Sequence, residues 1–414
     1  MQPFVLRGYL QEKQWPPIKL WTKKYIRDNF AKKTGSVFAR LGSREHVNGK
    51  ILHDHESIHY QFESFSEMLD WMSGLHDKTP NILYVLPKTD RVILDTSNLP
   101  CSSNNLNINS QTHWAYFDYH DILELLDEEN AIIADWGKLD IFPFELNKNL
   151  EDNENWKDST IWIGTSGAYT PCHYDTYGFN LHAQLFGYKR WLLFPPGTDL
   201  RPTRLPYEES SVFSSFDIIG ATMKSEYGKQ ENIPFPYVVV CGPGDLLFIP
   251  QKWWHSVQCI SKINEENEQL CFSINKWFPT ENDQLESKKE ALLKFMISLN
   301  LNVEKNDDLI NKINIYTTKR IKLNENIKFN EEYFYSKFLN NSLREEILIK
   351  KWEEIQKTEK EFYGLFLSNE LFKCNSSSSN LVDQLKIELF DALFSPQVLN
   401  TLIDVVILKR RKKE

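Results

Sequence analysis

From about residue 131 to residue 280 the chain is written as short apolar runs separated by turn signals every ten residues or so. The runs are AIIAD (131–135), TIWIG (160–164), NLHAQL (180–185), RWLLF (190–194), YVVVC (237–241), DLLFI (245–249) and LCFSIN (270–275). Each is too short for a stable helix and of the right length for a strand. Regular short strands with Gly, Pro, Asn and Ser between them favour a sandwich or a closed barrel. The fold class expected is therefore mostly β with helices at the flanks.

The flanks read differently. Residues 1–40 form an N-terminal arm: Leu20, Trp21, Tyr25, Ile26 and Phe30 recur at helical intervals after Pro16-Pro17, and 37–41 reads as a strand. A second amphipathic helix is expected over 62–71, short strands over 81–86 and 91–94, and a Ser- and Asn-rich loop over 96–112. Residues 198–236 read as a long irregular insertion, the kind of segment that serves as a lid or binding loop. After about 281 the composition turns to Lys, Glu, Leu, Ile and Asn and the period becomes helical, with helices expected over 287–297, 343–355 and 381–394. The boundary expected near 281 divides a domain of 1–280 from a C-terminal helical region of 281–414. The stripe of Leu292, Leu293, Phe295, Met296 and Leu299 must be buried, against the barrel or in a homodimer. The basic run 409–413 reads as a solvated tail or as a nuclear targeting signal.

Composition narrows the class. A hydrophobic content of 41% over 414 residues is that of a globular chain, not a disordered one. A formal charge of −9 does not advertise a nucleic-acid surface. No stretch has the length of a membrane span and the first residues lack a signal-peptide pattern, so the expected location is cytoplasmic. The six cysteines are dispersed without a C-x-x-C pair, which fits a reducing compartment and not a zinc ribbon or disulfide framework. No phosphate-cradling glycine motif and no G-x-S-x-G is present.

The chemistry concentrates in T170-P-C-H-Y-D175 and W253-W-H255. On a strand His173 and Asp175, two residues apart, point to one face, while Cys172 points to the other. His255 can add a third ligand from another strand. Two histidines and one carboxylate with open positions opposite form the ligand set of non-haem Fe(II) oxygenases. A 2-oxo acid can chelate through two of those positions, and oxygen can take the last. The far carboxylate of 2-oxoglutarate needs a cation. Lys189 sits on a largely apolar strand expected to pair with the one carrying Asn180, and Thr170 and Tyr116 can add hydroxyls. A surface lysine beside Arg190 fits the same residues. Asn180 and Asn275 read as amides that hold the carboxylate next to the metal, or as turn residues. Trp277 should share the face of Asn275 and wall the pocket. His182 shares the face of Asn180 in a supporting role. A rival cluster, His53, His55 and His59, has weaker framing for zinc.

Four runs carry a resemblance: 170–175, NLHAQLFGYKRWLLFPP (180–196), GPGDLLFIP (242–250) with W253-W-H255, and S273-I-N-K-W277. Together they resemble the JmjC-domain oxygenases, in particular the subgroup of the asparaginyl hydroxylase that inhibits hypoxia-inducible factor. PFVLRG (3–8) resembles the start of that domain. The run RPTRLPYEESSVF (201–213) is similar to a member associated with a small heat shock protein. The resemblance implies a double-stranded β-helix, a jelly-roll (cupin) core, with Fe(II) and 2-oxoglutarate. It implies His173, Asp175 and His255 as iron ligands, and Lys189, Thr170 and Tyr116 around the distal carboxylate. It places Asn180 and Asn275 near the metal. One departure stands out: this chain has one residue more between the H-x-D and Asn180, within T176-Y-G-F179. Hydroxylation of a protein side chain is the expected activity. Histone demethylation, RNA hydroxylation, or an adaptor role without catalysis are the alternatives.

Overall fold

The computed structural model describes residues 2–12, 14–30, 35–43, 58–75, 82–84, 108–125, 159–203, 211–214, 218, 236–260, 270–278, 280, 283 and 344–346; side chains are described for these except 58, 59, 82–84, 123, 124, 203 and 344–346. In chain order the elements are β1 (Phe4–Leu6), α1 (Tyr9–Glu12), α2 (Pro16–Leu20), α3 (Lys23–Phe30), β2 (Val37–Ser43), β3 (Ile58–Phe62), α4 (Phe65–Met72) and β4 (Ile82–Tyr84). Then follow β5 (His113–Asp121), α5 (Ile122–Leu125), β6 (Thr160–Thr165), β7 (Tyr169–Asp175), β8 (Phe179–Phe186), β9 (Tyr188–Phe194), β10 (Pro202–Thr203) and β11 (Ser211–Ser214). The last are β12 (Tyr237–Cys241), β13 (Leu246–Ile249), β14 (Trp254–Ile260), β15 (Leu270–Phe278) and β16 (Arg344–Glu346).

These strands form two antiparallel sheets. One has the order β16-β1-β13-β8-β15-β6-β5-β2-β3-β4, the other β10-β11-β7-β14-β9-β12. From β6 to β9 and again from β12 to β15 consecutive strands switch sheets, which is how a jelly roll encloses a space between its two faces. The mostly β, jelly-roll fold expected from the sequence is what the chain adopts. The larger sheet carries the helices on its outer face. There Trp21, Phe30, Phe65, Phe117 and Phe272 join one aromatic core, with Trp21 stacked on Phe272 at 5.8 Å. Its burial stabilises the arm on the sheet through the hydrophobic effect.

Several expectations need correction. The helix expected over 20–30 is two: α2 stops at Leu20, and α3 starts afresh with Thr22 accepting from the Tyr25 N–H through Oγ1 at 3.2 Å. Lys189 is not on a strand paired with that of Asn180. A single residue, Gly187, separates β8 from β9, and its φ of +68° sends the chain into the opposite sheet. The insertion 198–236 is not wholly irregular, because β11 within it pairs with β7 beside Asp175. Residues 344–346, expected to begin a helix over 343–355, are instead a strand paired antiparallel with β1. The strand at 91–94, the strand at 131–135, the helices at 287–297 and 381–394 and the basic run 409–413 lie outside the described residues. So do the side chains of the His53–His55–His59 cluster.

The N-terminal arm is tied in by more than apolar contact. β1 pairs with β13, and Arg7 reaches Asp245 at 2.7 Å while the Gly8 N–H donates to the same carboxylate at 2.9 Å. The four described cysteines are all buried and free, and Cys172 points into the outer cluster with Leu192, Phe194 and Trp254, as parity required. Among the described residues no helix is long and apolar enough to cross a membrane.

Candidate active site

One cavity between the sheets is lined by Tyr116, Thr170, His173, Asn180, His182, Lys189, His255, Asn275 and Trp277, together with Tyr119, Trp162, Trp191 and Val257. Every site residue expected from the sequence except Asp175 lines it, and Asp175 joins two of the lining histidines. The convergence follows from strand register. β7 and β14 are hydrogen-bonded neighbours with His173 opposite His255, and Asp175 shares the face of His173 by the two-residue period. Potential ligand atoms of His173, Asp175 and His255 all lie within 4.8 Å of one another. His173 Nε2 is 3.9 Å from Asp175 Oδ1, and His255 Nε2 is 3.8 Å from Asp175 Oδ2.

The protons are placed to leave these nitrogens open. His173 Nδ1 lies 2.7 Å from the Pro171 carbonyl, and His255 Nδ1 lies 2.9 Å from the Trp253 carbonyl. A carbonyl can only accept, so each Nδ1 carries the hydrogen and each Nε2 presents a lone pair. Burial foremost, then the neighbouring His173, pushes His255 down to about 4 against the pull of Asp175. It is a neutral imidazole at pH 7, the form that binds metals. Asp175 is oriented by Trp277, whose indole N–H donates to Oδ2 at 2.7 Å, and by Ser211, whose hydroxyl is 3.3 Å from Oδ1. The donor set of two imidazoles and one carboxylate fits Fe(II).

Lys189 faces the same cavity from β9. Its Cα partner on β14 is Cys259, four residues beyond His255. That places its backbone about 13 Å along the sheet from the triad. The lysine is 1% exposed, so the reading as a surface lysine beside Arg190 does not hold; Arg190 is buried too. Its ammonium donates to Ser273 Oγ at 2.7 Å and Tyr116 Oη at 3.2 Å, and lies 5.4 Å from the rings of Tyr116 and Trp162. Burial above all holds the Tyr116 phenol well above its usual range, so it stays a neutral hydroxyl; Thr170 bonds to it. Both of the lysine's hydrogen-bond partners are therefore neutral.

Asn180 and Asn275 sit inside strands, not in turns. Asn275 Nδ2 donates to Asn180 Oδ1 at 3.2 Å and Asn275 Oδ1 accepts from the Trp162 indole at 2.7 Å. That chain fixes both amides in the wall of the cavity. His182 Nε2 bonds to Gln184 Oε1 at 2.9 Å, and burial with Lys189 nearby holds its pKa well below the ordinary range.

Three contributors escaped sequence reasoning. Ser273 shares the face of Asn275 and Trp277 by the same parity, so the signal was present and stopped one step short. Trp162 carried no polar signal on an apolar strand. Ser211 reaches Asp175 only because β11 pairs with β7, which nothing within 198–236 announces.

Comparison with known proteins agrees with this geometry. A family model described as a cupin-like domain matches residues 1–284. Over 190 residues the chain is 37% identical to "HSPB1-associated protein 1" of Homo sapiens, covering 44% of this chain and 35% of that protein. It is 38% identical over 198 residues to "HSPB1-associated protein 1 homolog" of Danio rerio, covering 46% and 39%. It is 29% identical over 125 residues to "2-oxoglutarate and iron-dependent oxygenase JMJD4" of Mus musculus, covering 28% of each. The chain thus spans between about a quarter and two fifths of the length of these curated relatives.

Proposed function

Because this chain belongs to the cupin-like domain family, with JmjC oxygenases among its relatives, we propose that it is an Fe(II)- and 2-oxoglutarate-dependent dioxygenase that hydroxylates a protein side chain. One observation carries the reading: a single cavity is lined by both histidines of a two-histidine, one-carboxylate cluster and by a buried lysine whose hydrogen bonds go to neutral hydroxyls. A buried charge without an opposite charge is costly. An anionic ligand that enters with its own carboxylate relieves that cost.

In this reading His173, Asp175 and His255 hold the iron. Iron(II) supplies oxygen activation when bound. Lys189, Thr170 and Tyr116 receive the distal carboxylate of 2-oxoglutarate, and Asn180 and Asn275 hold the end nearest the metal. Trp277 keeps Asp175 turned toward the histidines, and the aromatic walls exclude bulk water. The test is Fe(II)-dependent conversion of 2-oxoglutarate to succinate by the wild-type chain, with Asp175→Ala as control. Metal-dependent turnover lost in the control supports the reading. A wild-type chain that binds neither Mn(II) nor, with the metal present, 2-oxoglutarate refutes it.

A second reading draws on the relatives' name, which records association with HSPB1. In it the chain acts as an adaptor for a small heat shock protein. The succinate assay separates the two, because an adaptor needs no turnover.

A further inference from the structure

Asp283 is only 2% exposed and takes no part in the cavity. Its Oδ1 accepts from the Gly178 N–H at 3.0 Å, Gln251 Nε2 at 2.7 Å and Thr280 Oγ1 at 2.9 Å. Its Oδ2 accepts from the Gly178 N–H at 3.1 Å and the Thr280 N–H at 2.7 Å. All of these donors are neutral. An asparagine has one acceptor oxygen where the carboxylate has two, so only a carboxylate gathers them all.

The donors belong to two particular turns. Gly178 closes the turn that leaves Asp175 at the end of β7. Its φ is +65°, and an added Cβ would stand 2.6 Å from the Phe278 carbonyl oxygen, so the backbone is pressed against β15 there. Gln251 lies in the turn between β13 and β14 that leads into His255. The same Gln251 Nε2 also donates to the Thr176 carbonyl at 2.8 Å, and its Oε1 accepts from the Thr280 hydroxyl at 3.2 Å. One carboxylate therefore joins the segment that follows one triad residue to the segment that precedes another.

We propose that Asp283 is a positioning residue for the metal centre, setting through Gly178 and Gln251 the separation of Asp175 and His255. The inference rests on the triad being a metal site. Ligand constellations must be held within about 0.5 Å of their working geometry, and the Asp175 carboxylate spans both Nε2 atoms at 3.8 and 3.9 Å. A slip between the two turns would open that span directly.

The test uses the full chain, with Mn(II) and Co(II) as probes and no 2-oxoglutarate. Calorimetric affinity, the Co(II) absorption spectrum and the metal-free thermal midpoint are measured for wild type, Asp283→Asn, Gln251→Ala and the double variant. Loss of groups that orient metal ligands typically weakens metal binding by about 10- to 100-fold. Each single variant is expected to lose at least about tenfold and to shift the Co(II) bands, with the double variant little weaker than the weaker single. Affinity and spectrum within about twofold of wild type, with a lowered midpoint, would show a plain structural staple and overturn the proposal. If Asp283→Asn does not fold, Gln251→Ala decides by the same criteria. A wild-type chain that binds neither ion refutes the metal reading itself, and the positioning role falls with it.

Discussion

Replacing Lys189 with methionine should have effects of opposite sign on binding and on stability. Methionine keeps the length of the side chain and removes its charge. The lysine is 1% exposed and its ammonium meets two neutral hydroxyls, Ser273 Oγ at 2.7 Å and Tyr116 Oη at 3.2 Å. With 2-oxoglutarate in place, removing the cation leaves a carboxylate buried without a counter-charge, a loss on the order of 3–5 kcal/mol. At about 1.4 kcal/mol per tenfold, the affinity should fall roughly 100- to 4,000-fold. Without 2-oxoglutarate the balance reverses. Replacing a buried ion pair by apolar groups of similar volume is often neutral or stabilising, and a buried charge with no counter-charge has no ion-pair attraction to lose, so the free protein should be at least as stable as wild type. Calorimetric titration of 2-oxoglutarate into the Mn(II)-loaded chain measures the first effect, and thermal unfolding of the free chain the second. Binding within about threefold of wild type would refute the argument. So would a variant destabilised by about 2 kcal/mol or more, as a large-to-small core substitution would be.

Three further outcomes follow from the same geometry. Asp175→Ala should abolish measurable Mn(II) binding while leaving the free chain folded; calorimetry that finds unchanged affinity removes Asp175 from the ligand set. Trp277→Phe keeps the aromatic wall but deletes the indole donor to Asp175 Oδ2, and should weaken Mn(II) binding about tenfold; an unchanged affinity makes Trp277 a wall only. The metal-free chain should lose stability as the pH falls from about 6.5 towards about 4. His255, pushed down to about 4, and His182, held well below its ordinary value, both take up protons in the unfolded chain first. His182→Leu should flatten that decline, and equal pH slopes in the two proteins would contradict it.

How much of this was legible depended on how local the signal was. His173 and Asp175 needed only the two-residue period of one strand, and Cys172 was correctly turned away by the same rule. Lys189 stood out as a charge in an apolar run, but its place did not. One glycine with a positive φ moved it into the sheet opposite Asn180, and strand pairing is non-local. Asn180 and Asn275 look like turn residues because amides are common there; only the cross-strand bonds from Asn275 to Asn180 and from Trp162 to Asn275 show them as a fixed pair. The helix expected over 20–30 begins only at Lys23, because apolar spacing runs unbroken past Trp21 while the backbone restarts at the Thr22 cap. For 343–355 the helical pattern is real in the letters, yet 344–346 serve as an edge strand beside β1, where pairing overrides local preference.

The alternation between sheets along β6 to β9 and β12 to β15 has a kinetic consequence. The pairs β2–β3, β3–β4, β5–β6 and β10–β11 can form as they emerge, but none of the strands from β6 to β9 or from β12 to β15 pairs with the next in sequence. The Arg7–Asp245 contact spans 238 residues of chain, and β7 meets β14 only after β8 to β13 have been made. Contacts of such sequence separation make loop closure the dominant obstacle, and folding slow. No early hairpin contains both His173 and His255, so the metal centre is among the last things to exist on the folding path. A stopped-flow refolding experiment should therefore see tryptophan burial first, and Co(II) absorption only in the final, slowest phase.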